Sequence, residues 1–476
     1  LHAQGDRTAR GLTRRRTGHF ELGAGTTAVR ALVRAEPLRR VGRADCETPG
    51  MSHLAVVGTG YVGLTAGACL ADLGHRVVCV DRDVEKIDCL SAGEVSMVEN
   101  GLEDLVARGL DSGLLSFSTD LASAVAEVEA VLLSLPTPTA ADGSTDLAVL
   151  EEVCVELGSL LETGTTVVVR STVPVGTTRR LPEMMGRSDL PVVANPEFLR
   201  EGTAVSDFLG PDRIVVGSDD RDAAAFVAGF YEALDVPKVV TDPSAAEMIK
   251  YASNAYLVTR LSFINSIAAV CEGLDADIDA VVEGLGLDHR IGSAYLRPGP
   301  GWGGSCFPKD TRSLVDSARR GGYEFRFLEA AITANEEQFD RVVAKVEATV
   351  EGGLSGRCVA VWGLTFKAGT DDHRDSPAVA VIERMMVAGA RVRAYDPTVA
   401  SRSEALPEGL EICADPVEAC RGADGLVILT EWPEFAEVDP GAVSAVLEVA
   451  SVVDTRGVID RKRWTSAGFG VESIGR

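Results

Sequence analysis

The sequence has no CxxC pair, and its ten cysteines stand apart along the chain, most of them in apolar segments with strand or helix character. That excludes a disulfide framework and a clustered-cysteine zinc site, and it fits reduced thiols in a cytoplasm. The six histidines include no HxxxH or HxxEH spacing, so no metal is expected. Positive charge is in deficit, with 46 Lys and Arg against 71 Asp and Glu and a net charge of −25. This excludes a general binder of nucleic acid or anionic membranes, and any anionic ligand must be met by a local group of cations. No uninterrupted apolar run reaches the roughly 18 to 20 residues of a membrane span. The most apolar long segment, Ala252 to Cys271, is broken by Arg260. The expectation is a soluble cytoplasmic protein with no nucleic-acid or membrane partner.

At 476 residues the chain is too long for one core and calls for two or three domains. Residues 1–50 differ in kind, with ten Arg, no Lys and five acidic residues. They are expected to be a disordered or non-native leader, with Met51 as the natural start. Three further segments are delimited by pattern. "HLAVVGTGYVGLTAGACLADLGHRVVCVDRD" reads as strand, glycine turn, helix, strand. Gly58, Gly60 and Gly63 form GxGxxG directly after an apolar run, where a tight turn lets backbone and a helix N-terminus approach a pyrophosphate. Asp81 closes the second strand, placed to accept from a ribose 2′-hydroxyl, which favours NAD over NADP. Arg82 and Lys86 are the reservation, since a cation there suits a 2′-phosphate.

Apolar runs at 128–135, 165–170, 191–194 and 213–217 continue a parallel sheet, giving an NAD-binding Rossmann domain over 51–240. Thr137, Thr172 and the "NPEFLREG" loop follow strand ends and are site candidates. Residues 241–350 form a helical domain opened by "SAAEMIKYASNAYLVTRLSFINSIAAVCEG". Ser244 and Glu247 read as a capping box and Gly273 as the helix end. Lys250 and Asn254 interrupt its apolar surface one turn apart on one face. A second parallel α/β domain fills 351–476, with strands "CVAVWGLTFK", "RVRAYDP", "GLVILTE" and "SVVDTRG" and a helix near 377–389. It lacks the glycine turn, so it holds a different ligand, and Lys367 and Arg456 stand just past strand ends as local cations. The fold class is α/β: two doubly wound, Rossmann-like parallel-sheet domains joined by a long central helix.

Seven stretches, "VVGTGYVGL", "STVPVGT", "NPEFLREGTA", "EMIKYASNAY", "RIG", "GPGWGGSCFPKD" and "GLTFKAGTDDHRDSP", resemble in content and order the UDP-glucose/GDP-mannose dehydrogenase family, most closely its UDP-glucose-oxidising branch. The resemblance implies oxidation of a nucleotide-sugar C6 alcohol to a carboxylate with two NAD in succession. It implies Cys306 as the nucleophile that captures the aldehyde as a thiohemiacetal and carries the thioester. Lys250 and Asn254 would serve the oxyanion, with burial lowering the lysine's pKa. Asp310 would orient Lys250 or a water, Thr172 would position a water, and Glu197 would be the base for thioester hydrolysis, with Glu201 competing. The cofactor side would comprise Gly58, Gly60, Tyr61, Val62, Gly63, Asp81, Lys86, Thr137, Thr172 and Lys309. The substrate side would comprise Glu197, Phe198, Leu199, Lys250, Asn254, Gly303, Lys367 and Arg456, with Arg290 supplied across the interface of a homodimer or higher oligomer. The glycines before Cys306 would open the sulfur to substrate and nicotinamide. Trp302 stands where the family commonly has Phe. UDP-glucose is the expected substrate, with GDP-mannose and UDP-N-acetylmannosamine as alternatives on the same scaffold. A β-hydroxyacid-type dehydrogenase would have no use for Cys306, and a non-catalytic NAD-binding protein none for the lysine, asparagine, cysteine and aspartate together.

Overall fold

The computed structural model describes residues 50–140, 143–400 and 405–476; the leader expected over 1–50 lies, but for Gly50, outside the described residues. The first sheet has eight strands: β1 His53–Val57, β2 Arg76–Val80, β3 Leu115–Ser118, β4 Ala130–Leu133, β5 Thr166–Val169, β6 Val192–Ala194, β7 Ile214–Gly217 and β8 Lys238–Thr241. Their order is β3-β2-β1-β4-β5-β6-β7-β8. The central strands are nearly continuous apolar runs because helices cover both faces, and Leu54, Ala55, Val56 and Val57 of β1 are all buried. One feature departs from the expected parallel sheet: β6 and β7 pair antiparallel, through Ala194 and Gly217. The edge strands β3 and β8 escape sequence reading because each is four residues long and only partly apolar.

The second sheet contains β9 Cys358–Trp362, β10 Arg391–Tyr395, β11 Glu411–Ile412, β12 Gly425–Ile428, β13 Ser451–Asp454 and β14 Gly470–Ser473, in the order β11-β10-β9-β12-β13-β14. Strand order reverses beside β1 in the first sheet and beside β9 in the second. In open α/β sheets the crevice for a ligand lies beyond the strand ends at such a point.

Between the sheets runs a 32-residue helix, Pro243–Leu274. Its cap is not the expected Ser244: Asp242 accepts from Ala245 N at 3.2 Å, with Pro243 in the first turn, where a missing N–H costs nothing. Glu247, freed from capping, accepts from Gly176 N, Thr178 N and Thr178 Oγ1. The helix also outruns Gly273 and ends at Asp275, whose φ of 55° is left-handed. By length and composition it is apolar enough to cross a membrane despite Arg260, the one such helix among the described residues. Here it packs on β7 and on the helices Phe307–Arg320 and Arg326–Thr349, and it buries Lys250 and Asn254.

Candidate active site

At the end of β1, Gly58 has a φ of 96°, and a Cβ there would stand 2.4 Å from the Ser134 carbonyl oxygen. A Cβ on Gly63 would stand 1.8 Å from the Gly58 carbonyl oxygen, so only glycine permits this turn. Gly60, by contrast, faces open space at the N-terminus of the helix Tyr61–Asp72. The turn is tight where the chain must fold back and open where a diphosphate approaches. Asp81 accepts from Thr59 N at 3.0 Å and Thr59 Oγ1 at 2.7 Å, and Lys86 Nζ lies 3.3 Å away. Burial pushes the Asp81 carboxyl up, but the Thr59 bonds and Lys86 outweigh it and hold it below the usual carboxylate range. Lys86 is therefore engaged by Asp81 and is not presented to a 2′-phosphate. These residues fit NAD. Tyr61, in the same turn, donates to Glu99 and accepts from Gly202 N at 2.6 Å, joining the turn to the "NPEFLREG" loop.

A cavity of about 750 Å³ opens where the sheets and the central helix meet. Glu197, Glu201, Lys250, Asn254, Cys306 and Lys367 line it, and Arg456 stands at its margin. Lys250 Nζ donates to Glu197 Oε1 at 2.8 Å, and both side chains are at most 5% exposed. This reverses one expectation. Burial does pull the Lys250 pKa down, but Glu197, Cys306 and Asp310 pull harder the other way, and the pKa is raised rather than lowered. Lys250 is an ammonium in this state, a charge donor and not a base. Asp310 accepts from Asn254 Nδ2 at 2.7 Å and from Lys309 Nζ at 2.7 Å, so its direct partners are Asn254 and Lys309 and not Lys250.

Cys306 stands at the N-cap of the helix Phe307–Arg320. Burial pushes its thiol up to about 11 against the opposing pull of Lys250. The sulfur is protonated in this state. Thr172 and Lys250 also share a side cavity of about 10 Å³, the room of a single water, and Thr137 Oγ1 donates to the Thr172 carbonyl at 2.9 Å. Leu199 N donates to Glu197 Oε2 at 2.6 Å, while the Phe198 ring lies under the Arg213 guanidinium at 3.6 Å.

The glycines before Cys306 serve packing first. A Cβ on Gly303 would stand 2.0 Å from the Asp375 carbonyl oxygen, and one on Gly304 2.9 Å from the Phe366 ring. Burial lowers the Lys367 pKa, and the neighbouring Arg200 adds to this. Arg456 Nε donates to the Leu429 carbonyl at 2.8 Å. Arg290 is not brought to the cavity by its own chain: it pairs with Asp288 at 2.6 Å and is 78% exposed. Sequence reasoning missed Arg213 and Tyr295, which also line the cavity; neither lies in a stretch with a motif to flag it.

Three family models match in sequence: the NAD binding domain of the UDP-glucose/GDP-mannose dehydrogenase family over residues 52–235, its central domain over 244–337 and its UDP binding domain over 360–461. The chain belongs to the UDP-glucose/GDP-mannose dehydrogenase family. Within it, a UDP-glucose 6-dehydrogenase of Rhizobium meliloti is 43% identical over 433 residues, covering 89% of this chain and 99% of the relative. Among solved structures, a UDP-glucose dehydrogenase from the hyperthermophilic archaeon Pyrobaculum islandicum superposes with a TM-score of 0.81 at 38% identity, covering 89% of this chain and 98% of that one. A UDP-D-ManNAc dehydrogenase from Pyrococcus horikoshii gives 0.79 at 26% identity, over 89% and 99% of the two chains. The family is one of NAD-dependent nucleotide-sugar dehydrogenases, and the cradle at Gly58 to Gly63 lies within the residues that match its NAD binding domain.

Proposed function

We propose that the chain is a UDP-glucose 6-dehydrogenase that oxidises UDP-glucose to UDP-glucuronate in the cytoplasm. The observation that carries the reading is the single cavity in which a thiol, a buried ammonium and Lys367 converge, with Arg456 at its margin. Lys367 and Arg456 are the cations an anionic nucleotide needs in a protein of net charge −25. NAD, when bound, accepts the hydride of each of the two oxidations. In the first, C6 gives up its hydride and the C6 hydroxyl gives its proton to water, for which the small cavity lined by Thr172 and Lys250 has room. The Cys306 S–H then adds across the aldehyde: the S–C bond forms, and the thiol proton ends on the oxygen, which Lys250 and Asn254 serve as donors. Loss of a second hydride and of that hydroxyl proton leaves a thioester on Cys306.

Hydrolysis needs a base. Glu197 is a poor one, because Lys250 and Leu199 N occupy it and, despite burial, hold it below the usual carboxylate range. Glu201 is better matched: burial, seconded by Asp372, pushes it up to about 7. Ser305 Oγ donates to Glu201 Oε1 at 2.6 Å and lies 3.6 Å from the Cys306 sulfur. Glu201 takes a proton from water as the C–O bond forms, and Ser305 passes one to the departing sulfur as the C–S bond breaks. Incubation with NAD and, separately, UDP-glucose, GDP-mannose and UDP-N-acetylmannosamine tests the reading. UDP-glucuronate should form far faster than either other acid, and equal or faster turnover of another sugar would overturn it.

The active unit is a homodimer in this reading. Met248, Tyr256, Phe263, Val270 and Leu274 are all at least 41% exposed on the central helix. Their near-heptad spacing puts them on one stripe, suited to a second copy of the same helix. The nine cysteines among the described residues are all free, which suits a reducing compartment.

A further inference from the structure

The glycine turn and the catalytic loop are tied together by a hydroxyl. Tyr61 opens the helix Tyr61–Asp72 directly after Gly60, the position left open to a diphosphate. Its hydroxyl accepts from Gly202 N at 2.6 Å and donates to Glu99 Oε2. Glu99 is buried, and its other oxygen, Oε1, accepts from Val205 N at 3.3 Å. Tyr61 and Glu99 thus hold the stretch 202–205, where the "NPEFLREG" loop passes into the helix Ala204–Leu209. The loop is confined from the other side as well. Gly202 has a φ of 80°, and a Cβ there would stand 2.7 Å from the carbonyl oxygen of Gly369, in the loop after β9. Only glycine fits this backbone between the turn of the first sheet and a loop of the second.

Glu201, next to Gly202, turns towards the thiol. Its Oε1 accepts from Ser305 Oγ at 2.6 Å, and Ser305 Oγ lies 3.6 Å from the Cys306 sulfur. Glu197, at the start of the same loop, accepts from Lys250 Nζ at 2.8 Å. Short contacts therefore run from the dinucleotide turn to the sulfur through Tyr61, Gly202, Glu201 and Ser305. A diphosphate seated at Gly60 bears on the helix turn that carries Tyr61. Removing the hydroxyl leaves the Gly202 N–H and the buried Glu99 Oε2 without this partner, and the loop loses its tie to the turn.

We propose that Tyr61 is a positioning residue for the reaction: its hydroxyl holds the loop of Glu197 and Glu201 against the dinucleotide turn, so that a filled turn fixes that loop over Cys306. The inference rests on the turn receiving the diphosphate of the dinucleotide, and it holds whichever glutamate serves hydrolysis.

The test is the rate of Cys306 alkylation by iodoacetamide with and without saturating ADP. Mass spectrometry of the Cys306 peptide follows it, because the exposed Cys89 also reacts. ADP carries the adenosine and diphosphate of NAD but no nicotinamide, so it does not itself cover the sulfur. UDP is present throughout to keep ADP out of the nucleotide-sugar pocket. In the wild type ADP should slow alkylation by about fivefold, the lower end of ordinary coupling between two sites. In Tyr61→Phe, saturated according to its own ADP titration, the slowing should fall below about 1.5-fold. Glu99→Gln keeps an acceptor for the Tyr61 hydroxyl and should retain most of the effect. Undiminished slowing in Tyr61→Phe would overturn the proposal, as would its absence from a wild type that binds ADP. If ADP fails to bind the wild type, or is not displaced by NAD, the reading of the turn itself fails, and the two failures are thereby distinguished. Hydrogen exchange of the wild type is independent of how Tyr61→Phe folds. The backbone amides of 198–206 should exchange more slowly with ADP bound, and unchanged exchange would equally overturn the proposal.

Discussion

Substituting Glu197→Gln should unmask the ion pair at the heart of the cavity. Lys250 and Glu197 meet at 2.8 Å with side chains 4% and 5% exposed, so water cannot compensate whichever partner is left alone. Breaking a buried pair from one side costs about 3–5 kcal/mol. Glutamine keeps a carbonyl acceptor for Lys250 Nζ, which places the expected loss near the lower end, about 3 kcal/mol. At ~2–4 °C per kcal/mol the first calorimetric unfolding transition should fall by roughly 6–12 °C. The double variant Glu197→Gln/Lys250→Met leaves no buried charge and should recover at least half of that loss. The pH dependence has a definite sign. Glu197 is depressed, so its contribution is present above its unfolded pKa and is lost as pH falls through the folded one. Lys250 is raised, so its contribution is present below its unfolded pKa and is lost as pH rises through the folded one. The pair therefore stabilises across neutral pH and weakens at both extremes, and the wild-type-to-variant difference should shrink in acid below about pH 4.5. A transition within 2 °C of wild type, or a double variant no more stable than the single, would refute the buried pair.

Asp81→Ala should weaken NAD binding by about 1.5–3 kcal/mol, the range for a hydrogen bond to a charged group, and relax discrimination against NADP; titration calorimetry with both cofactors reads this, and unchanged selectivity would move the determinant elsewhere. Mixing inactive Arg290→Ala with inactive Cys306→Ala protein should restore partial activity through hybrid sites, since Arg290 is exposed and outside its own chain's cavity; no rescue under demonstrated subunit exchange would exclude an arginine acting in trans. Phe263→Glu, in the exposed stripe of the central helix, should shift sedimentation from dimer to monomer, and an unchanged sedimentation coefficient would place the interface on another face.

What the sequence made legible was local. The glycine turn at Gly58 to Gly63 and the strand ending at Asp81 sit within 25 residues of one another, and periodicity and spacing found both. The sign of the Lys250 shift was not legible, because its burial is visible in the helix pattern while its partner lies 53 residues away. Ser244 and Glu247 satisfied the capping pattern, but Asp242 captured the cap because it precedes Pro243, which left Glu247 to bind the loop at Gly176 and Thr178. β11 is two residues long, too short to carry a period.

The count of NADH formed per UDP-glucose consumed tests the central claim most directly. A dehydrogenase without a nucleophilic thiol stops at the aldehyde after one hydride, whereas capture of that aldehyde by Cys306 permits a second oxidation. Two NADH and one UDP-glucuronate per sugar are expected, and Cys306→Ala should abolish that net four-electron oxidation while leaving UDP-glucose and NAD binding nearly unchanged. One NADH per sugar in the wild type, or full activity in Cys306→Ala, would contradict the account.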